Sequence, residues 1–219
     1  MTVQEMHMAV NIKLQQVASF SFDDFLPEEI DYYINLAISR WIRAKQQSVI
    51  LEPDTVPASV SEDLYTLIKS VNFVLNNPTV GQGSMVNSTK YDNAVRLDLK
   101  TIPDGDYYLY FYSRSQTNNG WKNNNLVLTS MFNMYTETST NKPYFRRLPV
   151  IFQDNSIYIL RSIEDNTINN VLLTYIKKPA TVTFDTVDCD LPIHVHDEIV
   201  DLTVAEMLKD LIIQQSDGS

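Results

Sequence analysis

The spacing of apolar residues changes twice along this chain, and the change constrains its fold more than any short motif does. Up to about residue 75, apolar side chains recur every three to four positions, as on one face of a helix. From about Tyr91 to residue 184 they alternate or form short runs typical of strands, and from Pro192 the helical spacing returns. The sequence therefore predicts a strand-rich segment between two helical ones.

Three helices are predicted before the strands. The first carries an apolar stripe of Met6, Val10, Leu14 and Val17. The second is "LPEEIDYYINLAISRWIRAKQQ", in which Pro27 suits a first turn and the acids after it complement the positive end of the helix dipole. The third opens with a capping box, Ser59-x-x-Glu62, and continues to about Leu75.

Strand-like segments then follow at short intervals, with turn residues between them. In chain order they are "AVRLDL", "YYLYFYSR", "LVLTSMFNMY", "LPVIFQ", "SIYILRSI", "NNVLLTYIKK" and "ATVTF". Six to seven strands with no helix between them indicate an antiparallel sandwich or barrel. The stretch "NNGWKNNN" is typical of an exposed polar loop with an aromatic tip.

The last helix, from Pro192, needs a partner for its apolar stripe, and the N-terminal helices can supply one. We therefore predict an α+β fold: a small helical bundle of three N-terminal helices and one C-terminal helix, with an inserted antiparallel β-sandwich or barrel. The predicted segments are residues 1–80, 81–188 and 189–219.

Composition narrows the function. The 27 acidic and 17 basic residues give a net charge of −10, which argues against a general nucleic-acid binder because phosphate binding needs clustered Lys and Arg. The glycine-containing "GQGSM" at Gly81–Met85 lacks the lysine of a P-loop and the third glycine of a dinucleotide motif, so we interpret it as a linker.

A single cysteine excludes an internal disulfide. With no recognisable signal peptide or membrane span, we expect a soluble protein made in the cytoplasm, without a cofactor.

The stretch "CDLPIHVHDEIVDLTV" holds the one cysteine and two of the three histidines. Cys189, His194 and His196 are ligand types that zinc favours, so a metal-dependent or cysteine hydrolase is the enzymatic alternative. On a helix, however, two histidines two positions apart point about 200° away from each other. Pro192 and the acids after the histidines are typical of a helix start. We expect no catalytic or metal-binding residue here, and leave open whether the two histidines hold an ion.

Aromatic residues concentrate in one strand and at one loop tip. The candidate assembly contacts are Trp41, Tyr107, Tyr108, Tyr110 and Trp121. A stacking platform, a strand at a subunit contact and a core strand would all use such residues. We predict that they contribute to contacts rather than to catalysis.

Several stretches together resemble virion structural proteins of tailed bacteriophages, in particular the head–tail connector (ring or adaptor) proteins of short-tailed, crAss-like phages. They are "VQEMHMAVNIKLQQVASF", "FLPEEIDYYINLAISRWIRAK" and "YIKKP" followed closely by "LPIHVHDEIVD", the most specific of them. The resemblance covers most of the chain in order. In the loops of the β-segment, however, it is a similarity of composition only.

The resemblance implies a non-enzymatic subunit of a homo-oligomeric ring, often a dodecamer in that family, in the virion between the portal protein and the tail proteins. DNA would pass through the ring without specific binding, and an acidic subunit is consistent with that passage. No membrane partner is implied. The alternatives are another virion accessory protein, such as a fibre-anchoring or decoration subunit, and a carbohydrate- or peptide-binding β-module.

Overall fold

The computed structural model describes residues 1–17, 25–51, 62–76, 78–91, 93–137, 146–162 and 167–217. The fold is mixed α+β, and the chain divides into two compact units. The helical unit comprises Met1–Leu67 and Pro179–Ser219, and the barrel unit comprises Ile68–Lys178. The units thus meet in sequence at 67/68 and 178/179, where the sequence predicts boundaries at 80/81 and 188/189.

The bounds of the elements are as follows. The helices are α1 (Val3–Val17), α2 (Pro27–Leu51), α3 (Thr129–Glu137) and α4 (His196–Asp217), with a further helical turn at residues 62–64. The strands are β1 (Ile68–Leu75), β2 (Gly83–Asn87), β3 (Ala94–Asp98), β4 (Tyr107–Thr117), β5 (Gly120–Leu126), β6 (Leu148–Gln153), β7 (Ser156–Leu160) and β8 (Ile168–Lys177). Short 3-10 turns occur at Leu99–Thr101, Pro103–Gly105 and Ile193–Val195.

The helical unit buries the stripes predicted for its helices. In α1 the predicted Met6, Val10 and Leu14 are buried, whereas Val17 is exposed. In α2 the buried side chains are Ile30, Ile34, Ala37, Ile38, Trp41 and Ile42. Helix α4 packs against both α1 and α2. The stripe of each helix is therefore buried against its neighbours, as helical periodicity requires.

The eight strands form a closed barrel in the order β1-β2-β3-β7-β6-β5-β4-β8. Most neighbouring pairs are antiparallel, but β1–β2 and β5–β6 are parallel, which the sequence did not predict. The interior is filled with apolar side chains, among them Phe73, Met85, Leu97, Val150, Ile159 and Leu173. Closure removes the open edges that a sandwich would keep.

The predicted third helix is wrong beyond residue 64. Ser59 of its capping box lies outside the described residues, and from Ile68 the chain is strand β1. The apolar positions in this segment fit a helix by spacing, but Val71 and Phe73 also alternate as a strand requires. Pairing with β2 on one side and β8 on the other satisfies the backbone of β1, and this tertiary pairing decides its conformation.

The stretch predicted as the strand "LVLTSMFNMY" is instead the end of β5 followed by α3. Its location explains the difference, because β5 and β6 are parallel and a parallel pair needs a crossover connection. Helix α3 lies in that crossover and buries Phe132 against Ile151 and Tyr158 on the outer side of the barrel.

Three loop or strand predictions also need correction. The stretch "NNGWKNNN" is not an exposed loop but the turn of a β4–β5 hairpin and strand β5 itself, with Gly120 at a φ of +102°. "ATVTF" forms no strand and contributes one isolated bridge, between Thr183 and Val187. The C-terminal helix begins at His196, after a 3-10 turn, rather than at Pro192.

A bulge in β4 places polar side chains inside the barrel. The register shifts between Tyr110 and Tyr112, so that after Tyr110 the inward positions become Ser113 and Ser115. Asn124 of β5 donates to Ser113 Oγ at 2.8 Å and accepts from Ser115 Oγ at 2.9 Å, and Tyr110 Oη lies 2.9 Å from Ser113 Oγ. These bonds allow an asparagine-rich strand to be buried.

The segment interpreted as a linker contains β2, and Gly83 shows why glycine is needed there. Gly83 pairs with Phe73 of β1, and a β-carbon at position 83 would lie 2.4 Å from Cε1 of that ring. The phenyl ring therefore covers the backbone of β2 directly, and any side chain at this position would displace it.

Replacing Gly83 with alanine tests this contact. We expect Gly83→Ala to lower the free energy of unfolding by about 1–3 kcal/mol in urea denaturation, because it overpacks the core. The Gly83→Ala/Phe73→Leu double variant should lose less than the sum of its two single changes, since leucine leaves room for the methyl group. Ser84→Ala, one position along β2, is the control. Additive losses at positions 73 and 83 would contradict the close approach.

Candidate functional site

The side chain of His196 is engaged on both of its ring nitrogens. It is 2% exposed; Nε2 donates to the carbonyl oxygen of Leu191 at 2.9 Å, and Nδ1 lies 3.1 Å from the backbone nitrogen of Met1. A carbonyl oxygen only accepts, so Nε2 carries the hydrogen and Nδ1 is the acceptor. Both nitrogens that could bind an ion are therefore used inside the helical unit.

His194 is exposed and has a different partner. Its Nε2 donates to Asp63 Oδ1 at 3.0 Å, while Lys45 Nζ donates to Asp63 Oδ2 at 2.8 Å. Burial raises the pKa of the Asp63 carboxyl, but the hydrogen bonds from Lys45 and His194 outweigh it and hold that pKa below its usual range. Asp63 therefore remains a carboxylate at neutral pH, and its contribution to stability is lost only as the pH falls through its lowered pKa.

Cys189 does not carry a reactive thiolate. Burial raises the pKa of its thiol to about 11, with neighbouring Asp190 and Asp188 adding to the rise and a backbone hydrogen bond from Leu191 opposing it. At neutral pH the group is a protonated thiol. The three candidates for hydrolase or zinc chemistry are thus engaged by other groups of the helical unit: Cys189 and His196 by Leu191, and His194 by Asp63.

In the described residues, no group of three or more His, Cys, Asp or Glu side chains is placed to hold a metal ion.

Sequence reasoning missed the most buried ion pair among the described residues of the helical unit. His7 of α1 donates from Nε2 to Asp31 Oδ1 of α2 at 2.8 Å, and the other carboxylate oxygen accepts the backbone N–H of Phe184 at 2.9 Å. Both side chains are buried, and the His7 ring lies 4.8 Å from the Phe184 ring. Neither the 24-residue separation of the pair nor its link to residue 184 has a sequence signature.

One turn further along α2, Asn35 continues the same link. Its Oδ1 accepts the N–H of Val182 at 2.8 Å, and its Nδ2 donates to the Val182 carbonyl at 2.9 Å. Asp31 and Asn35 together hold residues 182–184 as a neighbouring strand would hold them. This cluster is structural in its chemistry, because every polar atom described here is paired within the unit.

The predicted contact aromatics differ in exposure. Trp41 and Tyr110 are buried within their own units, and burial raises the pKa of Tyr110 to about 12. Tyr107 packs against the barrel core, and burial raises its pKa as well, while Tyr108 is half-buried. Trp121 is 47% exposed, which makes it the most accessible of the five candidate contacts.

Trp121 lies on an outer barrel face formed by strands that lack acidic residues. The neighbouring strands β1, β8, β4 and β5 contain no Asp or Glu. On this face the Arg114 guanidinium lies 4.8 Å from the Trp121 ring centroid, and Tyr112 Oη donates to Asn123 Oδ1 at 2.6 Å. Arginine, amides and aromatic rings of this kind suit contact with a polar or anionic partner.

Charge is divided unevenly between the two units. Over its full sequence ranges the helical unit has 19 acidic and 5 basic residues, and the barrel unit has 8 acidic and 12 basic ones. The net charges are therefore −14 and +4, which together give the −10 of the chain. The overall acidity noted in the sequence is a property of the helical unit alone.

Two apolar patches are exposed on separate elements. The α3 patch comprises Leu128, Met131 and Met134, spaced three residues apart, and Met134 is 55% exposed. The α1 patch comprises Met8 and Ile12, one turn apart on the side of α1 opposite its buried stripe. Grouped apolar side chains at a surface are typical of interaction sites.

Comparison with protein-family models and with curated proteins finds no match to this chain. Within the part of the chain that the structure describes, no helix has the length and apolar character needed to cross a membrane.

Alkylation kinetics test the state of Cys189. With a pKa near 11 the thiolate fraction at pH 7.5 is about a hundredfold below that of a thiol at 9.0, and burial restricts access further. We expect native protein to react with iodoacetamide at least a hundredfold more slowly than protein in 6 M urea, as followed by mass spectrometry. Native reaction at the rate of the unfolded chain would contradict a buried, protonated thiol.

The variant Asp31→Asn tests the buried pair. When the new amide keeps its oxygen on the N–H of Phe184, its NH2 group faces His7 Nε2, so the ring must change tautomer and the hydrogen bond from Nε2–H to a carboxylate oxygen is lost. We expect a loss of about 2 kcal/mol in the free energy of unfolding, measured by urea denaturation. The control Asp201→Asn removes an exposed ion pair with Lys13, and should cost less than about 0.5 kcal/mol. Equal losses in the two variants would show that the buried pair of Asp31 and His7 stabilises the fold no more than an exposed ion pair does.

Proposed function

We propose that this chain is a structural, non-enzymatic subunit of an oligomeric ring in a phage head–tail connector, joining the portal to the tail. In this proposal the helices form a bundle that carries the barrel as an inserted domain. The observation that carries the proposal is the division of charge, with −14 on the helical unit and +4 on the barrel unit.

Opposite net charges favour one kind of contact between copies. If two copies met through their helical units, two strongly acidic surfaces would face each other, and such juxtaposition is costly. If the helical unit of one copy meets the barrel unit of the next, the charges attract. A contact between two different surfaces is heterologous, and heterologous contacts close into rings when the rotation between copies permits.

The apolar patches supply the rest of such a contact. Charge attraction steers two copies together, but stable interfaces bury apolar and aromatic side chains at their centre. The α3 patch and the α1 patch lie on different units, as a heterologous contact requires. Methionines are suited to it, because their flexible side chains adapt to an irregular partner surface.

Passage of DNA is consistent with the same charge division. A surface that carries excess carboxylates repels phosphates and does not retain DNA. We therefore propose that the helical unit, rather than the barrel, borders the DNA path in the virion, and that portal and tail proteins contact the remaining ring surfaces. The resemblance to phage connectors suggests the dodecamer as the ring to look for.

Native mass spectrometry of the purified chain, alone and with its portal protein, tests the ring. We expect a closed oligomer of defined stoichiometry, either by itself or on the portal, and its loss in Met131→Glu, which places a charge at the centre of the α3 patch. The matched control is Val80→Glu, the same kind of change at an isolated and fully exposed position. A chain that stays monomeric at every concentration and does not join the portal would overturn the proposal.

The acid-free barrel face favours a second candidate function. An accessory subunit of the virion that anchors a fibre, decorates the capsid or binds a glycan or peptide would use such a face, with Trp121 stacking on the ligand. Saturable binding to a glycan array that is lost in Trp121→Ala, by a protein that forms no ring, would favour this function over the connector.

A further inference from the structure

A cavity of about 120 Å³ opens at the hairpin between β2 and β3 of the barrel unit. Its polar lining comes from Asn87, Ser88, Thr89 and Lys90 at the hairpin, and from Arg96 of β3. The volume is about ten times the smallest that holds one water, roughly 10–15 Å³. The cavity therefore has room for a ligand of several heavy atoms.

None of the described residues supplies a partner for the charge of Arg96. It lies between Val86 of β2 and Tyr158 of β7 in the sheet, is half-buried, and its Nε is fully buried with no hydrogen-bond acceptor. No carboxylate in the described part of the chain forms an ion pair with it. A guanidinium in such surroundings is costly unless an anion compensates it.

Asn87 lines the cavity with a side-chain amide. Its Oδ1 accepts a hydrogen bond from Nη2 of Arg161, and its NH2 group can donate to a ligand. Arg161 itself has a buried Nε without a hydrogen-bond partner, and burial lowers the pKa of its guanidinium. A second poorly compensated cation thus stands one hydrogen bond away from the cavity.

The hairpin turn orients Ser88 in the same way. Ser88 Oγ accepts the N–H of Lys90 at 3.1 Å and the N–H of Tyr91 at 2.9 Å. With both lone pairs occupied, the hydroxyl can only donate. Lys90 contributes a further cation, of which one hydrogen is directed to Asp154 Oδ2 at 3.3 Å on the exposed side. A guanidinium, an ammonium, an amide and a hydroxyl therefore all offer hydrogens.

We infer that this cavity binds a tetrahedral oxyanion, a phosphate or sulfate group, either free or as part of a larger molecule. The guanidinium of an arginine can donate two parallel hydrogen bonds to two oxygens of such a group. Hydrogen bonds to a charged oxyanion are shorter and stronger than those between neutral groups. The inference does not depend on the ring, because every residue of the site belongs to the barrel unit of one chain.

Isothermal titration calorimetry with sodium phosphate and sodium sulfate tests the site, at constant ionic strength kept with sodium chloride. We expect saturable binding of both ions to the wild-type chain, and weaker binding of acetate. A single-stranded oligodeoxynucleotide of eight thymidines is titrated in parallel. Binding of the oligonucleotide through the same residues would identify a polymer phosphate as the source, whereas binding of the inorganic ions alone would identify a small molecule.

Two variants act on the site in different ways. Arg96→Gln removes the charge, and Asn87→Asp keeps the acceptor for Arg161 but puts a carboxylate into the cavity. Each should weaken phosphate binding at least tenfold. The control Arg114→Gln removes the same charge from the outer face beside Trp121, and should change the dissociation constant less than twofold.

Circular dichroism establishes that each variant is folded. Should Arg96→Gln not fold, Asn87→Asp alone decides, since it preserves the size and the hydrogen bond of the native residue. The inference is overturned if the wild type shows no saturable heat with phosphate or sulfate, if acetate binds as tightly, or if Asn87→Asp binds phosphate within twofold of the wild type.

Discussion

The antiparallel pairing of β1 with β8 is the constraint on which the rest of the structure depends. It joins the first and last strands of the barrel and thereby closes all eight. In this pairing Ile68 lies opposite Ile176, so the chain enters and leaves the barrel at neighbouring points. The start of β1 and the end of β8 therefore lie side by side in the barrel.

In the helical unit, buried hydrogen bonds connect segments that are distant in sequence. Asp31 and Asn35, one turn apart on α2, bind the backbone of residues 182–184, and His7 of α1 completes the pairing of the Asp31 carboxylate. Buried polar groups stabilise a fold when they are satisfied, and here the Asp31 carboxylate and the Asn35 amide have partners at 2.7–2.9 Å. The chain that returns from the barrel is thus joined to α1 and α2 before α4 begins.

The acidic and basic residues are distributed unevenly between the two units, which the net charge of the whole chain does not show. The acids lie mainly in the helical unit, while the barrel unit has an excess of bases, four neighbouring strands without Asp or Glu, and a cavity lined in part by hydrogen-bond donors. The ring proposal rests on the difference between the units and the oxyanion inference on a few residues of one hairpin. One can therefore fail without the other.

The sequence by itself determined the α+β class, the positions of α1 and α2 with their buried stripes, and most of the strands, because local periodicity reports which face a residue buries. It also indicated correctly that the histidine-rich stretch leads into a helix. Only the tertiary structure decided β1, α3 and β5: their apolar spacing or asparagine content is ambiguous, and pairing partners distant in sequence resolve it. The cavity at Arg96 and the pair of His7 with Asp31 were likewise beyond sequence reasoning, since burial and the absence or presence of a partner are properties of side chains that meet only in the folded chain.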